Sequence, residues 1–180
     1  QTDTDDSEGN IIKESKKRPK KSEIIDILSS FLGNLKQIPP NFSAKKVNGK
    51  KAYQLARRGE FTDLKATEIE IFKLKLLKYY DRNAAEFFLS CGKGTYVRSV
   101  ARDMGNTLGC LGHAKDIRRL NSGGLDIENS ISLSSLQTLE KNEIMNLILP
   151  TQEVLKFMME IKCNESQLHK IKNGMPIKYD

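Results

Sequence analysis

Lys93, Arg98 and Arg102 are the side chains whose type and spacing most directly suggest chemistry. They lie in and just behind Cys91-Gly92-Lys93-Gly94-Thr95-Tyr96-Val97-Arg98-Ser99. Gly92 and Gly94 permit a tight turn and a close approach to the backbone. Thr95 is expected to N-cap a following helix and leave its first-turn N–H groups beside Lys93. Arg98 and Arg102 fall off the apolar face of that helix. Together these residues make a compact cationic site suited to a phosphate or a buried carboxylate. They equally fit an ordinary strand-to-helix connection with solvated charges. The spacing of neither a P-loop nor a dinucleotide fingerprint is present, so the stretch implies no nucleotide cofactor.

A second constellation spans residues 41–60. Lys45, Lys46, Lys50, Lys51, Arg57 and Arg58 concentrate positive charge there, interleaved with Phe42 and Tyr53. Cations suit phosphates and rings suit unstacked bases, so this excursion fits nucleic acid; a solvated loop is the plainer alternative. Asn48-Gly49 signals a turn, and Ala52–Arg58 reads as a short helix stopped by Gly59. His113 has the chemistry of a general base, but no nucleophile adjoins it, which favours a structural or phosphate-contacting role. Arg118 and Arg119 would point to opposite faces of an extended Asp116–Leu120 segment, leaving one of them to face RNA.

These groups need a scaffold. Thr67–Tyr80 alternates Ile69, Ile71, Phe72, Leu74, Leu76 and Tyr79 with lysines, a long half-buried strand. The turn Asp81-Arg82-Asn83 leads it back through a second strand, Ala84–Cys91, which delivers the glycine corner. Val97, Val100, Ala101, Met104 and Leu108 recur at helical spacing behind that corner. Upstream, a helix capped by Ser22 is expected to line up Ile24, Ile27, Leu28, Phe31 and Leu35, with Gly33 near its end. Lys16–Lys21 around Pro19 reads as a basic linker. Asp3, Asp5, Asp6 and Glu8 before Gly9 read as a solvated acidic turn ahead of a strand at Asn10–Glu14, because the EF-hand glycine and closing glutamate are missing. Ser132–Leu139 and Asn142–Leu149 are expected helices ended by Pro150. Glu160–Pro176 (strand, then helix) reads as the opening of a separate small unit.

Composition narrows the class. A net charge of +7 and a pI near 9.3 favour a polyanionic partner. Cys91, Cys110 and Cys163 are an odd, scattered set that supports neither a disulfide framework nor, with only His113 and His169, a metal site. No apolar run approaches a membrane span and no signal peptide opens the chain, so a cytoplasmic protein without membrane contact is expected. The chain opens at Gln1 in what reads as mid-sheet and stops at Tyr179-Asp180 behind a helix stop, so it reads as a fragment.

Three blocks in series resemble the TruB family of bacterial tRNA pseudouridine synthases, which modify the T-loop uridine. The first is Gln1-Thr2-Asp3-Thr4-Asp5 with Gly9. The second is Ile38-Pro39-Pro40, Phe42-Ser43-Ala44, Lys46-Val47, Gly49-Lys50, Ala52-Tyr53, Ala56-Arg57 and Gly59. The third is Cys91, Lys93 to Arg98, Ala101, Asp103, Gly105, Leu108-Gly109-Cys110, His113 and Arg118-Arg119-Leu120. The match covers roughly residues 1–140, in order.

The resemblance implies an α+β fold, a mixed twisted β-sheet flanked by helices as in pseudouridine synthases. Residues 1–150 would be part of the catalytic domain, and residues 151–180 a linker and the beginning of a small C-terminal RNA-binding module of the PUA type. It implies a flipped uridine, cleavage of its glycosidic bond and rejoining through carbon, with an essential aspartate and no cofactor. Arg98 matches the arginine that pairs with that aspartate, Tyr96 the tyrosine beside the base pocket and Ile117 an apolar lining residue. Lys93 falls among the substrate contacts. Residues 41–60 match the thumb loop that grips the T-stem and loop of tRNA, with His113, Arg118 and Arg119 as further RNA contacts; a monomer is expected. The family's Gly-x-Leu-Asp motif does not precede the Thr-Asp-Thr block, and Gly124-Leu125-Asp126 lies in the wrong block to replace it. Arg98 is therefore expected to face a carboxylate from elsewhere, and the fragment alone to be inactive. A non-catalytic RNA-binding or tRNA-folding module and a guide-RNA-dependent ribosomal RNA pseudouridine synthase are the competing readings.

Overall fold

The longest element, β4 (Thr67–Tyr80), is the spine of the fold. Its alternation buries Ile69, Ile71 and Leu74 and leaves Glu68, Glu70, Lys73 and Lys75 exposed; Phe72, read with the apolar set, falls on the opposite face and is exposed as well. In a computed structural model, which describes residues 1–81 and 83–178, β4 is flanked by β1 (Gly33–Gln37) and β5 (Ala84–Cys91) in the order β1-β4-β5. Both pairings are antiparallel. Gly33 faces Ile71 across one, and Ile71 faces Cys91 across the other. The register slips between Ile71 and Lys73 and again between Leu76 and Lys78, where bulges accommodate the length of the hairpin. The expected turn residue Arg82 lies outside the described residues.

α3 (Val97–Thr107) packs Val100 and Met104 onto Ile69, Ile71 and Leu74, with Ile27, Leu28, Phe31, Leu35, Phe87, Leu89 and Cys91 around them. This is the core that fixes the glycine corner. The α+β class is as expected. Among the described residues, the named strands all pair antiparallel, and parallel pairing occurs only at a single bridge between Asp6 and Ala114.

Several local expectations are corrected. The first helix, α1 (Lys21–Ile27), starts before Ser22, and the Glu23 carboxylate accepts the Lys20 N–H at 2.7 Å. A 3-10 turn over Leu28–Phe31 follows, and Gly33 at φ +80° redirects the chain into β1. Leu35 thus reaches the core from a strand. Thr95 caps nothing: its hydroxyl is buried without a hydrogen-bond partner, and Tyr96 occupies the cap position. Asn10–Glu14 forms no strand beyond the bridge of Ile11 to Thr2. Residues 116–120 pair with no strand, so the opposite-face argument for Arg118 and Arg119 lapses.

The turn of the thumb-like segment forms as read, while its helix ends at Ala56, two residues short of the expected Ala52–Arg58. β2 (Lys46–Val47) and β3 (Lys50–Lys51) close over Asn48 and Gly49 at φ +49° and +81°, and α2 (Ala52–Ala56) follows. That is the left-handed pair a two-residue hairpin turn requires.

The chain divides into two compact units, Gln1–Ile117 and Arg118–Asp180. The second unit holds β6 (Asn121–Ser122), β7 (Leu125–Asp126) and the short helices α4 (Leu133–Gln137), α5 (Lys141–Asn146), α6 (Thr151–Val154) and α7 (Glu165–Lys172). Ser132 caps α4 and Asn164 caps α7. Pro150 introduces α6 instead of ending a region, and the expected strand before α7 is not formed among the described residues.

Candidate functional site

Arg98 occupies the first turn of α3, at the corner where β5 ends. Its Nη1 donates to the Asp6 Oδ2 at 2.8 Å and to the Thr4 carbonyl at 2.9 Å, and its Nη2 to the Phe42 carbonyl at 3.0 Å. One guanidinium thus joins the acidic turn, the helix and the start of the thumb-like segment. The side chain is 24% exposed and Asp6 27%, enough to reach solvent on one side. The carboxylate opposite Arg98 is therefore Asp6, which by sequence alone reads as part of a solvated turn.

Asp6 is held on both oxygens. Its Oδ1 accepts the Thr4 hydroxyl at 2.7 Å and the Glu8 N–H at 3.1 Å. Burial acts to raise its pKa, but those two bonds and the Arg98 bond and charge outweigh it and hold the carboxyl below the ordinary carboxylate range. The turn carrying it is closed by the Asp3 carboxylate, which accepts the Asn10 N–H at 2.9 Å. It is anchored to the loop behind α3 where the Asp5 carbonyl accepts the Ala114 N–H at 2.9 Å.

Arg102 repeats the pattern one helical turn on. It pairs with Asp5 through Nη1 at 2.8 Å, with Asp103 through Nε at 2.8 Å and with the Ile38 carbonyl through Nη2 at 2.7 Å. Burial lifts the Asp5 carboxyl above its ordinary value, and the Arg102 charge offsets only part of that.

Tyr96 is fixed through its backbone. The Gln37 side chain, only 3% exposed, accepts its N–H at 2.9 Å and donates to its carbonyl at 3.2 Å. Sequence reasoning missed Gln37, as it missed both aspartates; an uncharged residue at a strand end carries no distinguishing signal. Lys93 is exposed at the glycine turn, with Gly94 at φ +85°.

All six cations of the thumb-like segment (Lys45, Lys46, Lys50, Lys51, Arg57 and Arg58) are exposed. The Lys51 ammonium and Arg57 guanidinium sit 5.8 and 5.4 Å from the Tyr53 ring centroid. The arrangement presents a cationic surface tied, through Phe42, to the partly exposed Arg98–Asp6 pair. What it offers chemically is a fixed negative–positive pair beside a grip for a polyanion.

A family model described as TruB family pseudouridylate synthase, N-terminal domain, matches residues 1–97, more than half of the chain. A second, for the tRNA pseudouridylate synthase B C-terminal domain, matches residues 98–156. The chain belongs to the TruB family. It is similar to the tRNA pseudouridine synthases B of Ruegeria pomeroyi (41% identical over 176 residues) and of Rhizobium etli (41% over 182). That of Agrobacterium fabrum is 40% identical over 182 residues. Each match takes in 97% of this chain but only 58–59% of the relative, so the chain spans rather more than half the length of these proteins. In fold it is similar to a chain in the crystal structure of a Cbf5–Nop10–Gar1 complex, with a TM-score of 0.58 and 21% identity over 78% of this chain and 40% of that one.

Within this TruB family chain the remaining expected residues are exposed. His113 is exposed beside the buried Ala114, and Ile117 is 54% exposed at the end of the first unit. Arg118 and Arg119 are exposed residues of the second unit. Asp126, in the superficially similar Gly-Leu-Asp, accepts the Asn121 side-chain amide at 2.6 Å across the β6–β7 turn. No described helix is long and apolar enough to cross a membrane.

Proposed function

We propose that this chain is the charge-positioning and RNA-gripping part of a cytoplasmic tRNA pseudouridine synthase that isomerises the T-loop uridine. The observation that carries the reading is the Arg98 constellation. A family-matched arginine on a rigid strand-to-helix corner is bonded at once to a carboxylate and to the root of a cationic loop. A guanidinium so placed keeps a neighbouring carboxylate ionised and oriented. In the family that carboxylate belongs to the essential aspartate of a Gly-x-Leu-Asp motif upstream of the Thr-Asp-Thr block. Asp6 would then be the second negative group on the same arginine, sharing its charge and fixing its orientation.

The remaining roles are carried over from the family resemblance. Tyr96 flanks the flipped base, Lys93 and Ile117 contact the substrate nucleotide, and Lys45, Lys46, Lys50, Lys51, Tyr53, Arg57 and Arg58 grip the T-stem and loop. His113, Arg118 and Arg119 extend the RNA contact, and residues 151–180 lead into a further RNA-binding module. As the family resemblance implies, the reaction uses no cofactor, and the protein acts as a monomer.

The test is pseudouridine formation on a T-arm RNA by the full-length protein. Conversion of the T-loop uridine at a rate of turnover that Arg98→Ala lowers at least about 100-fold supports the reading. Tight RNA binding with no isomerisation would assign the chain to a non-catalytic RNA-binding protein instead, and activity requiring a guide RNA would assign it to ribosomal RNA modification.

A further inference from the structure

Two arginines of α3 make the same pair of contacts one turn apart. Arg98 bonds Asp6 and the Phe42 carbonyl; Arg102 bonds Asp5 and the Ile38 carbonyl. Residues four apart on a helix share a face, so both guanidinium groups address the acidic turn from one side. Consecutive residues of an extended chain point to opposite sides. Asp5 and Asp6 nevertheless both meet α3, because Asp5 adopts φ +60°, a left-handed conformation uncommon outside glycine, less so for aspartate, and fixed here by a local constraint.

The inner pair supplies that constraint. Asp5 and Arg102 are 6% and 14% exposed at their side chains, against 27% and 24% for Asp6 and Arg98. Asp103 fixes the Arg102 Nε, so that the fork has little freedom left. The outer pair is open to solvent; the inner pair is closed.

We propose that Asp5 and Arg102, with the Ile38 carbonyl, are positioning residues that set the Asp6–Arg98 pair and tie it to the root of the thumb-like segment. The activity consequence rests on the isomerase reading above; the geometric claim does not. Asp5 and Arg102 do not touch the reacting atoms. They act by fixing where the Asp6 carboxylate lies and how the backbone from Ile38 to Phe42 meets α3. The raised pKa of Asp5 fits this view, since a carboxyl kept buried against its own solvation is one held for its place in the structure.

The test uses the full-length protein with Asp5→Asn, Arg102→Gln and the double variant. Carbon-13 NMR of the Asp6 carboxyl gives a readout independent of activity. Removing the neighbouring negative charge of Asp5 would by itself lower the Asp6 pKa, whereas displacing Asp6 from Arg98 raises it, so the sign separates the two effects. An upward shift of about half a unit or more is expected in Asp5→Asn. The single-turnover rate of pseudouridine formation is expected to fall about 10- to 100-fold with RNA affinity within about threefold, and the double variant to be no slower than the slower single one. Arg102→Lys keeps the charge without the fork and serves if Arg102→Gln does not fold; it is expected to shift Asp6 in the same direction by less. An Asp6 pKa that stays or falls, or unchanged rates in an active enzyme, would overturn the proposal. If the unmodified full-length protein makes no pseudouridine, the isomerase reading fails and the Asp6 titration alone decides the positioning role.

Discussion

Arg98 donates to three oxygens through two nitrogens, and only a planar fork can reach an Asp6 carboxylate and a Phe42 carbonyl together. On the proposed isomerase reading, Arg98→Lys in the full-length protein should therefore lose isomerisation at least about 100-fold while RNA affinity stays within about threefold, read by single-turnover kinetics and filter binding. Asp6 makes a second, pH-dependent prediction. Its folded pKa lies below the ordinary carboxylate value, so the pair stabilises the fold above that value, and the contribution is lost as pH falls through the lowered pKa. Asp6→Asn should thus cost about 1–2 kcal/mol in denaturant titrations at neutral pH. The difference should vanish in strong acid. Asp5 works in the opposite sense: its raised pKa means the ionised form costs stability at neutral pH, a cost relieved as pH falls through that pKa. At this scale the cationic half of the site was legible, because Lys93, Arg98 and their glycines are local in sequence. Its acidic half was not. Asp6 lies 92 residues from Arg98, and nothing in an acidic run before Gly9 distinguishes a paired carboxylate from a solvated one.

α3 is held at its far end as tightly as at its first turn. A Cβ on Gly105 would lie 2.4 Å from both the Gly112 nitrogen and the Leu111 carbonyl carbon, and backbone atoms there cannot yield without moving the loop. Gly105→Ala should therefore destabilise the protein by about 1–3 kcal/mol, the usual cost of overpacking, seen as a lower Tm with no new cavity. That loop carries Ala114, which anchors Asp5, so activity should fall with stability. The thumb-like hairpin makes a different prediction, since its cations are exposed and contribute little to folding. Changing Lys50, Lys51, Arg57 and Arg58 together to Gln should leave Tm nearly unchanged. It should also reduce the slope of log affinity against log salt by about 0.7–0.9 for each phosphate no longer neutralised. An unchanged slope would remove this hairpin from the RNA interface. Elements of this kind were readable because their determinants are short-range: Asn48-Gly49 demands its turn, and the alternation from Ile69 to Leu76 demands a half-buried strand. The segment from Ile24 to Leu35 was misread because its apolar spacing suits a helix throughout. Gly33 in a left-handed conformation, together with tertiary pairing to Ile71, converts its end to a strand.

Across the whole chain, burial is uneven. Among the described residues, every buried apolar side chain, from Ile24 through Ala114, belongs to the first unit, whereas Leu133, Ile148, Phe157, Met158 and Met159 of the second are more than half exposed. The helices of the second unit run from 4 residues in α6 to 8 in α7, shorter than an isolated helix needs to persist in water. Stability is therefore expected to be set by β4, β5 and α3, with the second unit opening at little cost. Amide hydrogen exchange on the 180-residue chain checks this. The slowest amides should cluster in β4, β5 and α3 and exchange together at the global unfolding rate, while those of residues 118–178 exchange many-fold faster. Ile71→Ala sharpens the test, because Ile71 is 1% exposed at the centre of the core and its truncation should cost about 2–5 kcal/mol. That loss should lower protection equally in all three elements and leave residues 118–178 unchanged. Protection in the second unit that matched β4, or that fell with it in Ile71→Ala, would show that the second unit folds with the first.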